Sequence, residues 1–192
     1  MTIFLVRHGE TEWNRAGRYQ GRLDSPLTRR GIAQAEAIGR RLAALPAAKD
    51  AGLVASPLGR AVHPAAIIAE HLGRREPPRL DERLREISLG SWDGRDRGEI
   101  RRLAPDLFAG PDRRDWYFRS PDGETYDAFV ARLAAWLGEI GEEPVVAVCH
   151  GVVTRVLRGL YAGLPRQAAL ALPVPQDRIF HLAGGEIGEI AA

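Results

Sequence analysis

Three short apolar runs, each followed by a break and then by a helical pattern, constrain the fold of this chain most strongly. The runs are 2–6, 51–55 and 145–149, and none of them alternates with polar residues. Such runs are typical of strands that are buried on both faces. Strands that alternate with helices favour right-handed crossovers. The sequence therefore predicts an α/β fold, a three-layer α/β/α sandwich with a mostly parallel central sheet.

Helix starts can be placed from local chemistry. Thr28 is available as the N-cap of a helix with apolar residues at helical spacing. Ser56-Pro57 predicts the start of a second helix that runs to about His71. Pro64 lies inside that helix and lacks a backbone donor, so we expect either a kink or a regular part that begins after Pro57.

The length of the chain favours one unit. Its 192 residues are enough for one well-formed core and few for two, which predicts a single domain over 1–192. Between Arg95 and Ser120 the pattern breaks into prolines, glycines, charges and aromatic residues. We expect 95–120 to be an insertion that covers the substrate. The aromatic run 116–118 beside Arg113 and Arg114 could also stack on nucleic acid, but a lid is the simpler interpretation.

Charge and cysteine content exclude several classes of protein. The formal net charge is +2 and Lys49 is the sole lysine, so there is no concentrated basic tail and we expect no nucleic-acid partner. A single cysteine, Cys149, excludes an intramolecular disulfide and fits the cytoplasm. No apolar stretch reaches membrane-spanning length, so we expect no membrane association. A homodimer is compatible with the sequence.

Chemically active side chains follow each of the three predicted strands. Arg7-His8 follows the first, Arg60 lies just after the second, and His150-Gly151 joins the third to its helix. The carboxyl ends of parallel strands meet at one rim of the sheet, where ligands bind. Two imidazoles, two guanidiniums and a helix N-terminus suit a phosphate ester. A neutral imidazole at His8 could attack phosphorus and form a phosphohistidine.

Four segments, in this order, resemble the signature of the histidine phosphatase superfamily, the phosphoglycerate mutase-like proteins. The segments are Arg7-His8-Gly9-Glu10 with its continuation to Thr28, Ser56 to Ala61, Leu84-Arg85-Glu86 with Gly90, Trp92 and Gly94, and Val148 to Gly151. Together they form a specific pattern, whereas Arg-His-Gly alone is weak. The resemblance implies a phosphoglycerate mutase-like fold and an enzyme that needs neither a metal nor a cofactor.

The resemblance also implies a role for individual residues. His8 is expected to be the nucleophile and Glu86 the proton donor, although composition alone would allow Asp81 or Glu82. The remaining expected contacts are the phosphate pocket, Arg7, Arg60 and His150, and the substrate-binding residues Asn14, Gln20, Gly21 and Gly151.

Elementary electrostatics agrees with these roles. An arginine about 4 Å from His8, at an effective dielectric near 20, contributes roughly 4 kcal/mol and would lower the pKa of the imidazole. A lone pair then stays free for attack. Glu86 must hold a proton in the first step, which the negative charge of the bound phosphate favours. The same carboxylate could activate water in the second step.

One segment departs from the family pattern. His63-Pro64-Ala65 stands where the family usually has a Thr-Ala pair. Because His63 lies three residues after Arg60, we expect it to reach the pocket rim as an additional phosphate or substrate contact.

The sequence thus predicts a phosphomonoester hydrolase that acts on a small phosphorylated metabolite through phospho-His8. A cofactor-dependent phosphoglycerate mutase is the alternative, but it must shield phosphohistidine from water, usually with more covering chain than lies between Gly94 and Glu124. A non-catalytic phosphate-ester or phosphoprotein binding module is a third hypothesis, which the intact His8, Glu86 and His150 oppose. A zinc deaminase is excluded because no Pro-Cys-x-x-Cys accompanies the His-x-Glu spacing.

Overall fold

The computed structural model describes residues 1–108 and 114–192, and in that part of the chain six strands form one sheet. The strands are β1 (Thr2–Arg7), β2 (Gly52–Ala55), β3 (Arg79–Leu80), β4 (Val145–Cys149), β5 (Arg178–Ala183) and β6 (Glu186–Ala191). Their order across the sheet is β3-β2-β4-β1-β5-β6. The first four strands in this order are parallel to one another, whereas β5 is antiparallel to β1 and β6. The mostly parallel sheet is confirmed, with an antiparallel hairpin added at one edge.

Helices follow the strands as the periodicity predicts. In chain order they are α1 (Glu12–Arg15), α2 (Arg29–Ala43), α3 (Pro46–Lys49), α4 (Gly59–His71), α5 (Arg97–Leu103), α6 (Tyr126–Gly138), α7 (Gly151–Tyr161) and α8 (Arg166–Ala171). Short 3-10 turns lie at Glu82–Leu84, Gly90–Trp92, Pro105–Phe108 and Trp116–Arg119. Within the described ranges no helix combines the length and apolar character needed to cross a bilayer.

Both faces of the sheet are covered. Side chains alternate along a strand, so Ile3 and Leu5 of β1 point to one face and Phe4 and Val6 to the other. The first pair belongs to a buried cluster that includes residues of α6 and α7. The second pair belongs to a cluster that includes residues of α2 and α4. Burial on both sides explains why β1 is a continuous apolar run.

Helix α4 begins later than Ser56-Pro57 predicts. Its first residue is Gly59, its N-cap position is Leu58, and Pro64 lies inside it. The carboxylate of Asp24 accepts hydrogen bonds from the backbone N–H groups of the first two helical residues. A side chain from a distant loop therefore caps the helix in place of a local serine. The later start agrees with one of the two outcomes expected from Pro64.

The loop that carries His8 touches the first turn of α2 through two glycines. A Cβ atom on Gly9 would lie 2.3 Å from the carbonyl oxygen of Gly31. A Cβ atom on Gly31 would lie 2.0 Å from the carbonyl oxygen of Glu10. The Thr28 hydroxyl accepts the N–H of Gly31, which confirms Thr28 as the N-cap of α2. The close approach fixes the loop after β1 against the helix.

Candidate active site

A cavity of about 250 Å³ lies where β1, β2 and β4 end. Arg7 and His8 reach it from the end of β1, Arg60 from α4, and Gly151 from the start of α7. The rest of the lining is Asn14, Arg18, Tyr19, Gln20, Gly21, Glu86, Ile87, Leu89, Trp116, Tyr117, Val152, Arg155 and Val174. The predicted rim of the parallel sheet is thus where the candidate residues meet.

The imidazole of His8 has a defined tautomer. Its Nδ1 lies 2.8 Å from the carbonyl oxygen of Gly9. A carbonyl oxygen only accepts, so Nδ1 carries the proton and Nε2 keeps its lone pair. Burial lowers the pKa of His8 well below its ordinary value, and the cations of Arg7 and Arg60 lower it further. Burial, which the sequence argument did not include, is therefore the larger cause of the neutral state.

His150 packs directly against His8. The two rings meet edge to face with their centroids 5.3 Å apart. His150 is fully buried, and its Nε2 lies 2.7 Å from the hydroxyl of Ser56. Burial lowers the pKa of His150 well below its ordinary value, with further lowering by Arg60 and His8. Its Nδ1 is buried and has no hydrogen-bond partner among the described residues.

The two arginines are each held by their terminal nitrogens. An Nη atom of Arg7 donates to the carbonyl oxygen of Val174. The Nη atoms of Arg60 donate to the Leu23 carbonyl, to the Asp24 carboxylate at 2.9 Å and to the Gly21 carbonyl at 2.7 Å.

In both arginines the Nε atom is buried and has no partner among residues 1–108 and 114–192. Burial lowers the pKa of Arg7 to about 10 and also lowers that of Arg60. Both side chains remain cations near neutral pH. Each therefore brings an unused N–H donor and a positive charge to the neighbourhood of His8.

Glu86 lines the cavity and contacts the start of α7. Its Oε2 accepts the N–H of Val152, the second residue of that helix, at 3.1 Å. Asp81 instead forms a buried ion pair with Arg83 at 2.8 Å, and Glu82 forms an ion pair with Arg85 at 2.8 Å. Neither of those two carboxylates lines the cavity. The geometry supports Glu86 as the carboxylate of the site.

Asn14 and Gln20 lie along the cavity as predicted and share one anchor. The Asn14 Oδ1 accepts from the backbone N–H of Thr11 at 3.3 Å and from the side chain of Gln176 at 3.1 Å. The Gln20 side chain donates to the Thr11 hydroxyl at 2.9 Å. These bonds orient the Asn14 amide so that its NH₂ group is the part that can bind a ligand.

Gly21 and Gly151 are required by space as well as by position. Gly21 has φ = +53°, and a Cβ atom there would lie 1.5 Å from Oδ1 of Asp93. A Cβ atom on Gly151 would lie 3.5 Å from Nε of Arg7. A side chain at Gly151 would therefore occupy space beside one of the unused donors.

His63 does not reach this cavity, contrary to the expectation from its spacing. Its side chain is exposed and lines a separate cavity with 24–27 and Gly59. Three residues along an α-helix rotate a side chain about 60° away from the starting direction. That rotation is enough to turn His63 outward while Arg60 points inward.

Three residues with a role at the site were not found from the sequence. Ser56, interpreted as a helix cap, is the partner of His150. Asp24 caps α4 and holds Arg60, and no local pattern indicates this long-range contact. Arg155 lines the cavity from α7, and its position four residues after Gly151 could have indicated the shared helix face.

The predicted covering stretch 95–120 contributes to the cavity in part. Trp116 and Tyr117 form part of its wall. Positions 109–113 of that stretch lie outside the described residues. Among the residues that the structure describes, no group of three or more His, Cys, Asp or Glu side chains is arranged to hold a metal ion.

Comparison with known proteins places this geometry in a family. The description of the histidine phosphatase superfamily (branch 1) matches residues 3–186. The chain belongs to this superfamily. The match extends from β1 into β6 and includes every cavity residue named above.

Relatives of the superfamily protein are similar over most of their length. A probable phosphoglycerate mutase GpmB of Enterobacter sp. (strain 638) is 34% identical over 181 residues, which cover 88% of this chain and 78% of the relative. The structure of Bacillus stearothermophilus YhfR is 34% identical, with a TM-score of 0.83 and coverage of 99% of this chain and 95% of that one. A mycobacterial glucosyl-3-phosphoglycerate phosphatase in complex with VO3 is 29% identical, with a TM-score of 0.76 and coverage of 100% and 96%.

Proposed function

We propose that this protein hydrolyses phosphate monoesters of small metabolites through a phosphohistidine formed on Nε2 of His8. Three buried nitrogens that lack a partner among the described residues support the proposal, namely Nε of Arg7, Nε of Arg60 and Nδ1 of His150. Each unsatisfied buried donor costs about 1–3 kcal/mol. All three belong to side chains grouped around His8, and the oxygens of one phosphoryl group would satisfy them.

The first step of the proposed reaction transfers the phosphoryl group to the protein. The lone pair on Nε2 of His8 attacks phosphorus, and the bond from phosphorus to the ester oxygen breaks. Glu86 donates its proton to the departing oxygen, which leaves as an alcohol. The cations of Arg7 and Arg60 balance the charge on the equatorial oxygens, where this type of transfer concentrates it.

The second step releases phosphate. The Glu86 carboxylate takes a proton from a water molecule, which attacks the phosphorus of phospho-His8. The phosphorus–nitrogen bond breaks and returns its electron pair to Nε2. His8 is then neutral again and Glu86 is protonated for the next substrate, so no metal ion is needed. We propose the cytoplasm, where single cysteines stay reduced, as the location of this reaction.

Trapping the intermediate tests the proposal. After incubation with p-nitrophenyl phosphate and a quench in base, mass spectrometry should find one phosphate on the peptide that contains His8. The His8→Ala variant should lose both the phosphoenzyme and turnover. His63→Ala is the matched control, because His63 lies outside the cavity, and it should keep both. Turnover at the parental rate in His8→Ala would exclude the covalent mechanism.

A phosphoglycerate mutase is the second candidate, because curated relatives 34% identical to this chain carry that name. The two activities share the first step and differ in whether water or a substrate hydroxyl accepts the phosphoryl group. Incubation with 3-phosphoglycerate and a trace of 2,3-bisphosphoglycerate separates them. We expect phosphate release to exceed the formation of 2-phosphoglycerate. Faster formation of 2-phosphoglycerate would favour the mutase.

A further inference from the structure

Arg155 lines the cavity but has no role in the proposed phosphoryl transfer. Its Nε donates to the carbonyl oxygen of Leu172 at 2.7 Å, which holds the guanidinium by one edge. Among the residues that the structure describes, no carboxylate lies within 4.0 Å of it, and no carbonyl or carboxylate oxygen accepts from its two Nη groups. Arg155 is therefore a cation fixed in place with its terminal donors unused.

Tyr117 supplies a second unused donor on the same cavity wall. Only 7% of the residue is exposed, and its hydroxyl is buried without a hydrogen-bond partner among the described residues. Burial raises the pKa of Tyr117 to about 12, and the nearby cation of Arg155 opposes part of that rise. The phenol thus keeps its proton at neutral pH and stays a donor beside Arg155.

The charges of the cavity leave Arg155 without a counter-ion. Arg60 is paired with Asp24 at 2.9 Å, and Arg18 with Glu99 at 3.3 Å. Glu86 is the one carboxylate in the described lining, and the proposed mechanism requires it to carry a proton when substrate is bound. One phosphoryl group would engage the donors around His8. A positive charge would then remain at Arg155 for another anionic group.

The loop that holds Arg155 also aligns the phosphate pocket. Successive carbonyl oxygens of 172–174 accept from Arg155, Arg158 and Arg7. Arg158 is buried and stacks on Phe180, with its guanidinium carbon 3.7 Å from the ring centre. One short segment therefore fixes Arg155 relative to Arg7, which sets the spacing between two cationic positions in one cavity.

We propose that Arg155 and Tyr117 form a second anion subsite, which selects phosphate monoesters whose alcohol part carries a carboxylate or a second phosphate. The subsite rests on the proposed function, because it assumes a phosphate ester with its phosphoryl group at His8. A guanidinium with two free N–H groups beside a phenol matches the oxygens of either anion. A neutral alcohol would leave both donors buried and unpaired, which disfavours its binding.

Three probes with the same carbon skeleton test the subsite. Glycerol 3-phosphate is neutral at the far end, 3-phosphoglycerate has a carboxylate there, and glycerol 1,3-bisphosphate has a second phosphate. We expect the wild-type kcat/KM to be at least about tenfold higher for an anionic probe than for the neutral one. Arg155→Gln should lower this ratio about tenfold to a hundredfold and Tyr117→Phe about threefold to tenfold. Arg155→Lys should restore part of the ratio, and the exposed Arg41→Gln should leave it unchanged.

The pattern across the probes decides the outcome. A loss confined to 3-phosphoglycerate identifies a carboxylate subsite, and one confined to the bisphosphate identifies a phosphate subsite. Equal losses for all three probes in both Arg155→Gln and Arg155→Lys would overturn the proposal, since Arg155 would then act only on the phosphoryl pocket or on folding. Equal wild-type kcat/KM values for all three probes would also overturn it.

Binding to the His8→Ala variant separates this proposal from the proposed function. Calorimetry should show that adding Arg155→Gln weakens the binding of the anionic probes at least about tenfold more than that of glycerol 3-phosphate. If this holds while the wild type hydrolyses no ester, the subsite stands and the hydrolase proposal fails. If the wild type hydrolyses the esters through His8 but binding shows no such difference, the subsite alone fails.

Discussion

The hydroxyl of Ser56 lies 2.7 Å from Nε2 of His150, at the point where β2 and β4 end side by side. The Ser56 oxygen also accepts the backbone N–H of Leu58 at 3.3 Å, so its own proton is available for Nε2. A neutral imidazole that accepts at Nε2 carries its proton on Nδ1. Nδ1 is the atom of His150 without a partner in the described structure. Ser56 thus sets the tautomer in which His150 can donate to a phosphoryl oxygen.

Replacing Ser56 by alanine should weaken catalysis without unfolding the protein. The loss of one hydrogen bond to a buried imidazole is worth about 1–2 kcal/mol, so kcat/KM for a phosphomonoester should fall about five- to thirtyfold. Because Ser56 acts through His150, the double variant Ser56→Ala/His150→Ala should be no less active than His150→Ala alone. Additive losses would mean that the serine contributes independently of the imidazole.

Glu86→Gln should discriminate between substrates by their leaving groups. Glutamine retains an oxygen that can accept the N–H of Val152, so the start of α7 keeps its contact. It has no carboxyl proton to give, so hydrolysis of an alkyl phosphate should slow about 10²- to 10⁴-fold. The transfer step with p-nitrophenyl phosphate should slow much less, since nitrophenolate leaves without a proton.

Burst kinetics would isolate that transfer step in Glu86→Gln. The control is Glu82→Gln, because Glu82 pairs with Arg85 outside the cavity and its loss should not change either rate. Equal slowing of the transfer step for both leaving groups would assign Glu86 a structural role at the helix start.

Much of the fold follows from local pattern. The strands β1, β2 and β4 are continuous apolar runs because both faces of the sheet are covered, and that condition leaves a clear mark in the sequence. The carboxyl ends of parallel strands then bring Arg7, Arg60 and His150 together without any knowledge of side-chain contacts. Placement of the candidate pocket is therefore a consequence of topology.

Long-range partners could not be predicted in this way. Asp24 caps α4 from another loop, and Arg155 depends on a carbonyl of the loop after α8. These contacts join positions with no common periodicity, so they follow only from the packed structure. His63 shows the same limit, since helical spacing gave its approximate direction but could not show that it faces solvent.

Gly31→Ala should destabilise the fold through the loop that carries His8. The new Cβ would lie 2.0 Å from the carbonyl oxygen of Glu10, a backbone atom that cannot move without shifting the loop. Overpacking of this kind should lower the free energy of unfolding by about 2–4 kcal/mol. In Gly138→Ala, a Cβ has nothing within 4 Å, and the helix should gain about 0.5–1 kcal/mol. Urea unfolding of the two variants compares these changes, and equal stabilities would contradict the close approach.

Acid should reduce stability through the two buried histidines of the site. The pKa values of His8 and His150 are held well below 6.5, mainly by burial, so the folded state stays neutral while the unfolded chain takes up protons. Their contribution is fully present above pH 6.5 and is lost as the pH falls below that value. From pH 7.5 to 5.5 each histidine should remove about 1.4 kcal/mol from the free energy of unfolding. Urea titrations at both pH values should show this loss for wild type and about half of the histidine-dependent part for His8→Asn. An identical pH dependence in wild type, His8→Asn and His150→Asn would show that the histidines are not the source.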